Sequence, residues 1–275
     1  MAVESSYLLG HSEAEYRRLM IQAHFMRPWT ERFLRAAGLT DGMSVLEAGS
    51  GLGDVTLLAA GIVGPAGQVL GVERDAATAE AARGRAVSEG VSDYVDFQVG
   101  SVDDFASETR FDALIGRFVL QYQPDPAATL GRLARFVRPG GIIVFHDMDF
   151  SNEDTSWPPC RVWDDSYALL RKLFHANGVP PDFGRGLGRV FLDAGLPWPT
   201  IEVVVASGGK PGSTLFPWLG SALEAIAPGL EKAGIEPPAG VVLDRTVTAT
   251  LEKAVVEQGS HVLGSVQYGA WVRVP

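Results

Sequence analysis

Three glycines that alternate with other residues form the part of the sequence best suited to holding a ligand. Gly49, Gly51 and Gly53 lie in the segment VLEAGSGLGDV, residues 45–55. An apolar run precedes them and a helical pattern follows, so we expect a buried strand, a tight turn and the beginning of a helix. Glycine permits such a turn and lets a ligand approach the backbone closely. The free N–H groups at the beginning of the helix would suit a carboxylate of that ligand.

Two acidic residues flank this predicted turn. Glu47 lies just before the glycines, and Glu73 ends the next apolar run, in VLGVERD. A carboxylate at the end of a second strand can accept hydrogen bonds from both hydroxyls of a ribose. A dinucleotide-binding loop would read G-x-G-x-x-G, but Asp54 stands at its third glycine position and would disfavour a pyrophosphate. The pattern therefore favours a ligand that has a ribose and an ammonium group but no phosphate.

The elements around the turn predict a parallel sheet with helices on both faces, because short apolar runs alternate with helical patterns. The runs have about four or five residues, many of them β-branched, as expected of strands that are buried on both faces. Strands are predicted at 44–47, 68–72, 95–99, 111–115 and 142–145, and helices at 55–60, 76–88 and 127–137. Later segments predict strands at 200–206 and 262–274, and helices at 164–177, 215–232 and 244–258.

The N-terminal region is also predicted to be helical. Ser12 and Glu15 have the spacing of a capping box, and an apolar face at helical spacing follows them. Pro28 is expected to break or restart this helix, because proline lacks an N–H and clashes with the preceding turn. Gly38 is a plausible end of the helix.

The combined motifs resemble those of class I S-adenosylmethionine-dependent methyltransferases. E-x-G-x-G-x-G at 47–53 is followed by the acid that ends the second strand and by RPGG before the fifth. Residues 117–141, RFVLQYQPDPAATLGRLARFVRPGG, resemble particularly the UbiE-like branch, which acts on small molecules. The resemblance covers about residues 43–150.

The family resemblance implies the following fold. It is an α/β fold with an open, Rossmann-like sheet of seven strands, of which the last is antiparallel. Residues 1–42 would form a helical N-terminal cover, and residues 43–207 and 259–275 the cofactor-binding core. Residues 208–258, between the last two strands, would form a helical lid.

Roles near the glycine turn also follow from the resemblance. Gly49, Gly51 and Gly53 would pack under the methionine part of S-adenosylmethionine, with Glu47 nearby. Glu73 would bind the ribose hydroxyls of the same cofactor.

Further along the chain, the resemblance implies contacts with the adenine and the amino acid of the cofactor. Arg74 would lie beside the adenine or be a solvated charge. Where the family often has an aspartate at the end of the third strand, this sequence has Ser101, so the backbone of Val102 is the remaining candidate to contact the adenine. The backbone at Arg117 and Phe118 would face the cofactor's amino acid.

Two polar groups outside the glycine turn have more than one interpretation. Gln22 would hydrogen-bond the cofactor carboxylate or face the solvent. His146, Asp147 and Asp149 follow the fifth strand in FHDMDF, at the edge where open α/β sheets bind ligands. His146 could be a general base, a metal ligand together with the two aspartates, or a hydrogen-bonded structural histidine. No metal site is predicted, because a hard cation needs more oxygen ligands than this spacing offers.

Composition narrows the classes of partner. The 275 residues carry a net charge of −10, which argues against nucleic acid and anionic membranes. No run of about 18 apolar residues predicts a membrane span, and no signal peptide is recognisable. The single cysteine, Cys160, cannot form an internal disulfide, so a cytoplasmic location is expected. Five of the six tryptophans follow residue 150, which favours an apolar, partly aromatic acceptor pocket.

The expected function is therefore methyl transfer from S-adenosylmethionine to a small, largely apolar metabolite. An isoprenoid, a polyketide or an aromatic natural product of secondary metabolism would fit, methylated on carbon or oxygen. The alternatives are a nucleic-acid or protein methyltransferase, an NAD-dependent oxidoreductase, and a member that binds the cofactor without methyl transfer. The sequence leaves homo-oligomerisation open.

Overall fold

Residues 13–275 are described by a computed structural model, in which helices and strands alternate along most of the chain. The helices are α1 (Glu13–Ala37), α2 (Asp54–Val63), α3 (Ala76–Ser88), α4 (Pro126–Ala134), α5 (Arg161–Ala176), α6 (Phe183–Asp193), α7 (Leu215–Ala233) and α8 (Val247–Gln258). The strands are β1 (Ser44–Ala48), β2 (Gln68–Glu73), β3 (Val95–Val99), β4 (Phe111–Arg117), β5 (Val137–Asp149), β6 (Ser156–Trp157), β7 (Thr200–Gly208) and β8 (His261–Arg273). A short 3-10 helix, Leu120–Tyr122, follows β4.

The strands form one sheet in which β3, β2, β1, β4 and β5 are parallel neighbours in that order. β8 lies next to β5 as the antiparallel last strand, and β7 pairs with β8. This confirms the predicted α/β fold, with β6 as an additional two-residue strand paired to β8. Since the chain order reverses beside β1, the carboxyl ends of β1 and β4 flank the crevice where open α/β sheets bind ligands.

β1, β4 and most of β5 are buried on both faces, as their apolar sequences predict. β3 differs from that expectation, because it lies at the edge of the sheet and leaves Asp96, Gln98 and Val99 exposed. On β1, Val45 faces a cluster that includes α2 and α3, whereas the next residue, Leu46, faces a cluster that includes α4 and α6. Val144 and Phe145 on β5 divide in the same way. Because successive side chains of a strand point to opposite faces, the same alternation decides where polar residues at the strand ends point.

One prediction about the helices is wrong, and one helix was not predicted. α1 continues through Pro28, which lies on the exposed side of the helix, so water can reach the carbonyl that loses its partner. The Ser12 capping box lies outside the described residues. No pattern predicts α6, because Gly184, Gly186 and Gly188 lower its helix propensity.

The described chain divides into two compact units. The first holds residues 26–148, 183–204 and 267–275, with β1 to β5 and helices α2, α3, α4 and α6. The second holds residues 13–25, 149–182 and 205–266, with α5, α7 and α8. Residues 149–182, which the sequence assigned to the core, thus belong to the unit that also contains the predicted lid.

That residues 208–258 act as a lid stays a prediction. Within residues 13–275, no helix combines the length and apolar character that crossing a membrane requires.

Candidate functional site

The glycine turn joins β1 to α2 and has an unusual backbone. Gly49, Gly51 and Gly53 have φ angles of +65°, +53° and +80°, in the left-handed region that favours glycine. A Cβ on Gly49 would lie 2.7 Å from Cγ2 of Val119, and one on Gly53 would lie 2.8 Å from Cζ of Phe97. At Gly51, by contrast, a Cβ would meet no atom within 4 Å. Two of the glycines thus allow close packing, whereas the middle one borders open space that a ligand could fill.

Glu73 closes one side of this space. Its Oε2 accepts a hydrogen bond from the Gly51 N–H at 2.9 Å, and its Oε1 accepts one from the Asp75 N–H at 2.9 Å. These two bonds fix the carboxylate against the glycine turn. A carboxylate has about four acceptor positions, so each oxygen retains capacity for a hydroxyl donor. The geometry therefore fits the predicted contact with a ribose.

Glu47 lies at the other side of the turn and is buried. The hydroxyl of Thr56, on α2, donates a hydrogen bond to its Oε2. Burial raises the pKa of Glu47 to about 8, although the Thr56 hydrogen bond and the Arg117 charge lower it. A buried carboxyl group with this pKa is poised to pair with a cation, because a cationic partner would favour its ionised form.

Arg117 ends β4, on the same face of the sheet as Glu47, and is hydrogen-bonded to a series of buried polar side chains. Its NH1 donates a hydrogen bond of 3.2 Å to the hydroxyl of Thr30, on α1. That hydroxyl lies 3.0 Å from Nδ1 of His146, and Nε2 of His146 lies 3.0 Å from Oε1 of Gln267, on β8. Both ring nitrogens of His146 therefore have hydrogen-bond partners within the first compact unit.

The environment of His146 keeps its imidazole neutral. Burial and the Arg117 charge lower the pKa of His146 to about 3. A base of this strength, with both nitrogens hydrogen-bonded, is poorly suited to accept a proton at neutral pH. The arrangement favours the structural interpretation of His146, and its role as a base stays a prediction.

His146, Asp147 and Asp149 lie within β5 rather than after the fifth strand as predicted, and they do not converge on one site. Arg117 pairs with His146 in the β4–β5 register, and His146 contacts Phe33 of α1 edge-on. Asp147 is the next residue along the strand and therefore points to the opposite face. Among residues 13–275, no group of three histidine, cysteine or acidic side chains could hold a metal ion.

Phe118 marks the end of β4 with a strained backbone. It is the only residue other than glycine with a positive φ angle in the described chain, at 56°. Its N–H donates to the carbonyl oxygen of His146 at 2.9 Å, which holds the turn in place. Strain of this kind is frequently found at ligand-binding sites. The sequence placed Phe118 near the cofactor but gave no sign of this conformation.

Comparison with known proteins identifies the fold and the turn. A family model described as "Methyltransferase domain" matches residues 39–177, which include the glycine turn and both acids. The chain belongs to this methyltransferase family. This confirms the family inferred from the glycine motif, the second-strand acid and the RPGG segment.

Relatives of this methyltransferase domain include enzymes named for small substrates. An arsenite methyltransferase from Aquipseudomonas alcaligenes is 34% identical over 128 residues, which are 42% of this chain and 35% of the relative. A demethylmenaquinone methyltransferase from Staphylococcus aureus is 28% identical over 158 residues, 57% of this chain and 59% of the relative. The chain thus spans about half the length, or less, of the curated relatives it matches.

Solved structures share the fold at low sequence identity. Geranyl diphosphate C-methyltransferase from Streptomyces coelicolor is 16% identical, with a TM-score of 0.53 over 98% of this chain and 93% of that protein. The cyclase SpnF is 18% identical, with the same TM-score of 0.53 over 90% of this chain and 82% of that protein. At such identities the similarity establishes the fold of the methyltransferase domain but not its substrate.

The remaining predicted residues of the domain lie in different surroundings. Arg74 is exposed, and Val102 is buried. The Ser101 hydroxyl accepts a hydrogen bond from the Asp103 N–H at 3.1 Å, while Asp103 itself pairs with Arg132 on α4. Their contacts with an adenine stay predictions.

Gln22 belongs to the second compact unit. It is buried there and accepts a hydrogen bond of 2.6 Å from NH1 of Arg18. Its predicted contact with the cofactor carboxylate is untested. Thr30 and Gln267 were not among the predicted residues, because single polar side chains on an apolar helix or strand give no distinctive pattern.

Proposed function

We propose that this chain binds S-adenosylmethionine at the glycine turn and transfers its methyl group to a small, largely apolar acceptor. The observation that carries the proposal is the open space at Gly51, whose N–H is hydrogen-bonded to Glu73, in a turn that directly follows the strand bearing the buried Glu47. A ribose and an ammonium group are the ligand parts that these two acids suit. The family match supports the same cofactor.

Each residue of the turn would have a distinct task. Glu73 accepts hydrogen bonds from the ribose hydroxyls, and Glu47 pairs with the amino group of the methionine part. Gly51 keeps the backbone accessible, so the cofactor can lie against the turn. The bound cofactor supplies an electrophilic methyl group on a sulfonium, and the protein supplies alignment and exclusion of water.

An apolar acceptor is supported by aromatic residues in the second compact unit. Trp163 and Tyr167 of α5 pack with ring centroids 5.7 Å apart, and Trp163 packs edge-on against Phe216 of α7 at 6.1 Å. Trp218 stacks on Phe25, with centroids 5.3 Å apart. All of these side chains except Phe25 are buried, so they give the unit an apolar, aromatic interior. The net charge of −10 gives little reason to expect a polyanionic acceptor.

The finer assignments remain part of the proposal. An isoprenoid, polyketide or aromatic natural product, methylated on carbon or oxygen, fits the aromatic unit, and a role in secondary metabolism would follow. A cytoplasmic location, the absence of nucleic-acid partners and the oligomeric state stay predictions. A general base is required only if the acceptor must lose a proton.

Calorimetry with S-adenosylmethionine and with S-adenosylhomocysteine tests the cofactor assignment. We expect saturable binding of both ligands and no binding of NAD. Gly51→Val should abolish binding, because a branched side chain would enter the open space. Gly90→Val is the matched control: Gly90 has a similar φ of +70° and equally open surroundings, away from the site. Equal loss of binding in both variants, or saturation by NAD alone, would refute the assignment.

Isotope transfer tests the reaction itself. The protein is incubated with tritiated S-adenosylmethionine in three separate reactions, which contain cellular small molecules, RNA or protein. We expect label in an organic-soluble small molecule. Label confined to RNA or protein would overturn the acceptor class. Binding of the cofactor without transfer to any fraction would favour a member of the family that does not methylate.

A further inference from the structure

A continuous series of buried hydrogen bonds extends from β8 to the end of β4. Gln267 on β8 contacts Nε2 of His146, Nδ1 of His146 contacts the Thr30 hydroxyl, and that hydroxyl accepts from NH1 of Arg117. The first three residues are almost fully inaccessible to solvent. Buried polar groups of this kind are costly unless each is paired, so their pairing fixes their relative orientation.

The series has a defined direction of donation. Because Oε1 of Gln267 can only accept, Nε2 of His146 carries the ring proton, and Nδ1 is left as an acceptor. The Thr30 hydroxyl has two acceptors in reach, this Nδ1 at 3.0 Å and the Met26 carbonyl oxygen at 3.2 Å. Its lone pairs are therefore available to Arg117, which can only donate.

Arg117 is the charged member of the series and acts on both of its neighbours. Its positive charge lowers the pKa of Glu47 and also that of His146. The β1–β4 register pairs Glu47 with Ile115, so Arg117, two residues further along β4, points to the same face of the sheet as Glu47. The ring contact of the Arg117 guanidinium with Phe118, at 5.8 Å, holds it beside the strained end of β4.

We infer that Thr30, His146 and Gln267 are positioning residues, which hold the Arg117 guanidinium beside Glu47 and thereby set the affinity for the cofactor. In this arrangement His146 acts as a neutral hydrogen-bonding group and exchanges no proton with the acceptor. The inference rests on the proposed binding of S-adenosylmethionine at the glycine turn. It assigns a function to Thr30 and Gln267, which lie outside the turn itself.

Thr30→Val and Thr30→Ser test this inference by calorimetry with S-adenosylmethionine. Valine has the shape of threonine but no hydroxyl, so the hydrogen bonds of Thr30 to Arg117 and His146 are lost. We expect about fivefold to tenfold weaker binding at pH 7, the effect of losing one hydrogen bond to a charged group. Serine retains the hydroxyl and should restore most of the affinity. Without the Thr30 hydrogen bond, Arg117 would also lower the pKa of Glu47 less, so the pH dependence of binding should move to higher pH.

Gln267→Leu and His146→Ala extend the test along the series. Gln267→Leu should weaken binding in the same direction but less, because it removes the contact farthest from Arg117. His146→Ala should weaken cofactor binding as Thr30→Val does. If His146 were the base instead, this variant would bind the cofactor normally and fail only in methyl transfer. Should Thr30→Val not fold, these two variants decide the question.

Ser260→Ala is the control for the loss of a buried hydroxyl. The Ser260 hydroxyl donates to the Pro158 carbonyl oxygen at 2.6 Å, in the second compact unit. We expect Ser260→Ala to lower the melting temperature and leave the affinity for S-adenosylmethionine unchanged. The inference fails if Thr30→Val and His146→Ala also change only the melting temperature. Failure of the wild-type protein to bind S-adenosylmethionine would instead reject the proposed function.

Discussion

The raised pKa of Glu47 predicts that cofactor binding depends on pH. Burial raises this pKa to about 8; the Thr56 hydrogen bond and the Arg117 charge lower it, while the Asp54 and Glu73 charges raise it further. The carboxyl group is thus ionised in about one molecule in ten at pH 7 and about nine in ten at pH 9. An ammonium group requires the ionised form. Relative to Glu47→Gln, the association constant should therefore increase about tenfold between pH 7 and pH 9 if Glu47 is ionised in the complex.

Calorimetry across pH 6–9 measures this dependence, and buffers of different ionisation enthalpy report the protons released on binding. At pH 7 we expect the wild-type protein to release nearly one proton more than Glu47→Gln. The amide cannot titrate, so comparison with this variant cancels any titration of the ligand itself. Identical pH profiles for the two proteins would refute the reasoning, since the pH dependence would then arise elsewhere.

The same pKa affects the stability of the ligand-free protein. The folded pKa of Glu47 lies above its ordinary value of 4.5, so the contribution to stability is fully present below about pH 4.5 and is lost as pH rises through about 8. The cost at pH 7 is on the order of 3 kcal/mol. Urea denaturation should show that Glu47→Gln loses less stability than the wild type between pH 5 and pH 8. Parallel losses in the two proteins would contradict the assigned pKa.

Three further outcomes are expected. Glu73→Ala should bind S-adenosylmethionine at least roughly tenfold more weakly by calorimetry, since two hydroxyls lose a charged acceptor; unchanged affinity would place the ribose elsewhere. Asp147 is buried, and burial raises its pKa well above 3.8, although a hydrogen bond from the Gln121 backbone lowers it. Its contribution to stability is therefore lost as pH rises above about 4, and Asp147→Asn should flatten this fall in urea denaturation. Once an acceptor is known, His146→Ala should show a lower cofactor affinity; a fall in kcat of about 100-fold or more at normal cofactor affinity would instead identify His146 as the base.

Local sequence signals predicted the elements that present the cofactor site. The helix pattern at 76–88 coincides with α3, and the apolar run at 95–99 coincides with β3. The helix predicted at 127–137 corresponds to α4, which begins at Pro126 and is capped by Asp125, whose carboxylate accepts a hydrogen bond from the Ala128 N–H at 2.9 Å. These signals depend on residues a few positions apart, so they can be read without knowledge of the fold.

Tertiary packing determined what the sequence could not predict. α6 forms despite its glycines. A Cβ on Gly188 would lie 2.7 Å from the Trp198 ring, so the close contact at this position requires glycine. The hydrogen-bond series through His146 joins residues that are 116 and 121 positions apart. Neither Thr30 nor Gln267 has a local pattern that identifies its partner. The alternation of side chains along a strand would have placed His146 and Asp147 on opposite faces of the sheet. The predicted strand ended at residue 145, whereas β5 continues to Asp149, so this alternation was not applied.

The interleaving of the two compact units has a consequence for synthesis on the ribosome. The chain passes from one unit to the other after residues 25, 148, 182, 204 and 266. Strand β8 contributes its first part to one unit and its second part to the other. Neither unit therefore has all of its segments until β8 has emerged from the exit tunnel. Until then, α1 and the early strands lack part of the packing that they have in the folded protein. Replacing the second compact unit with that of a relative would likewise require exchange of several separate segments at once. If this unit binds the acceptor, point substitutions are therefore a simpler route to a new acceptor than recombination.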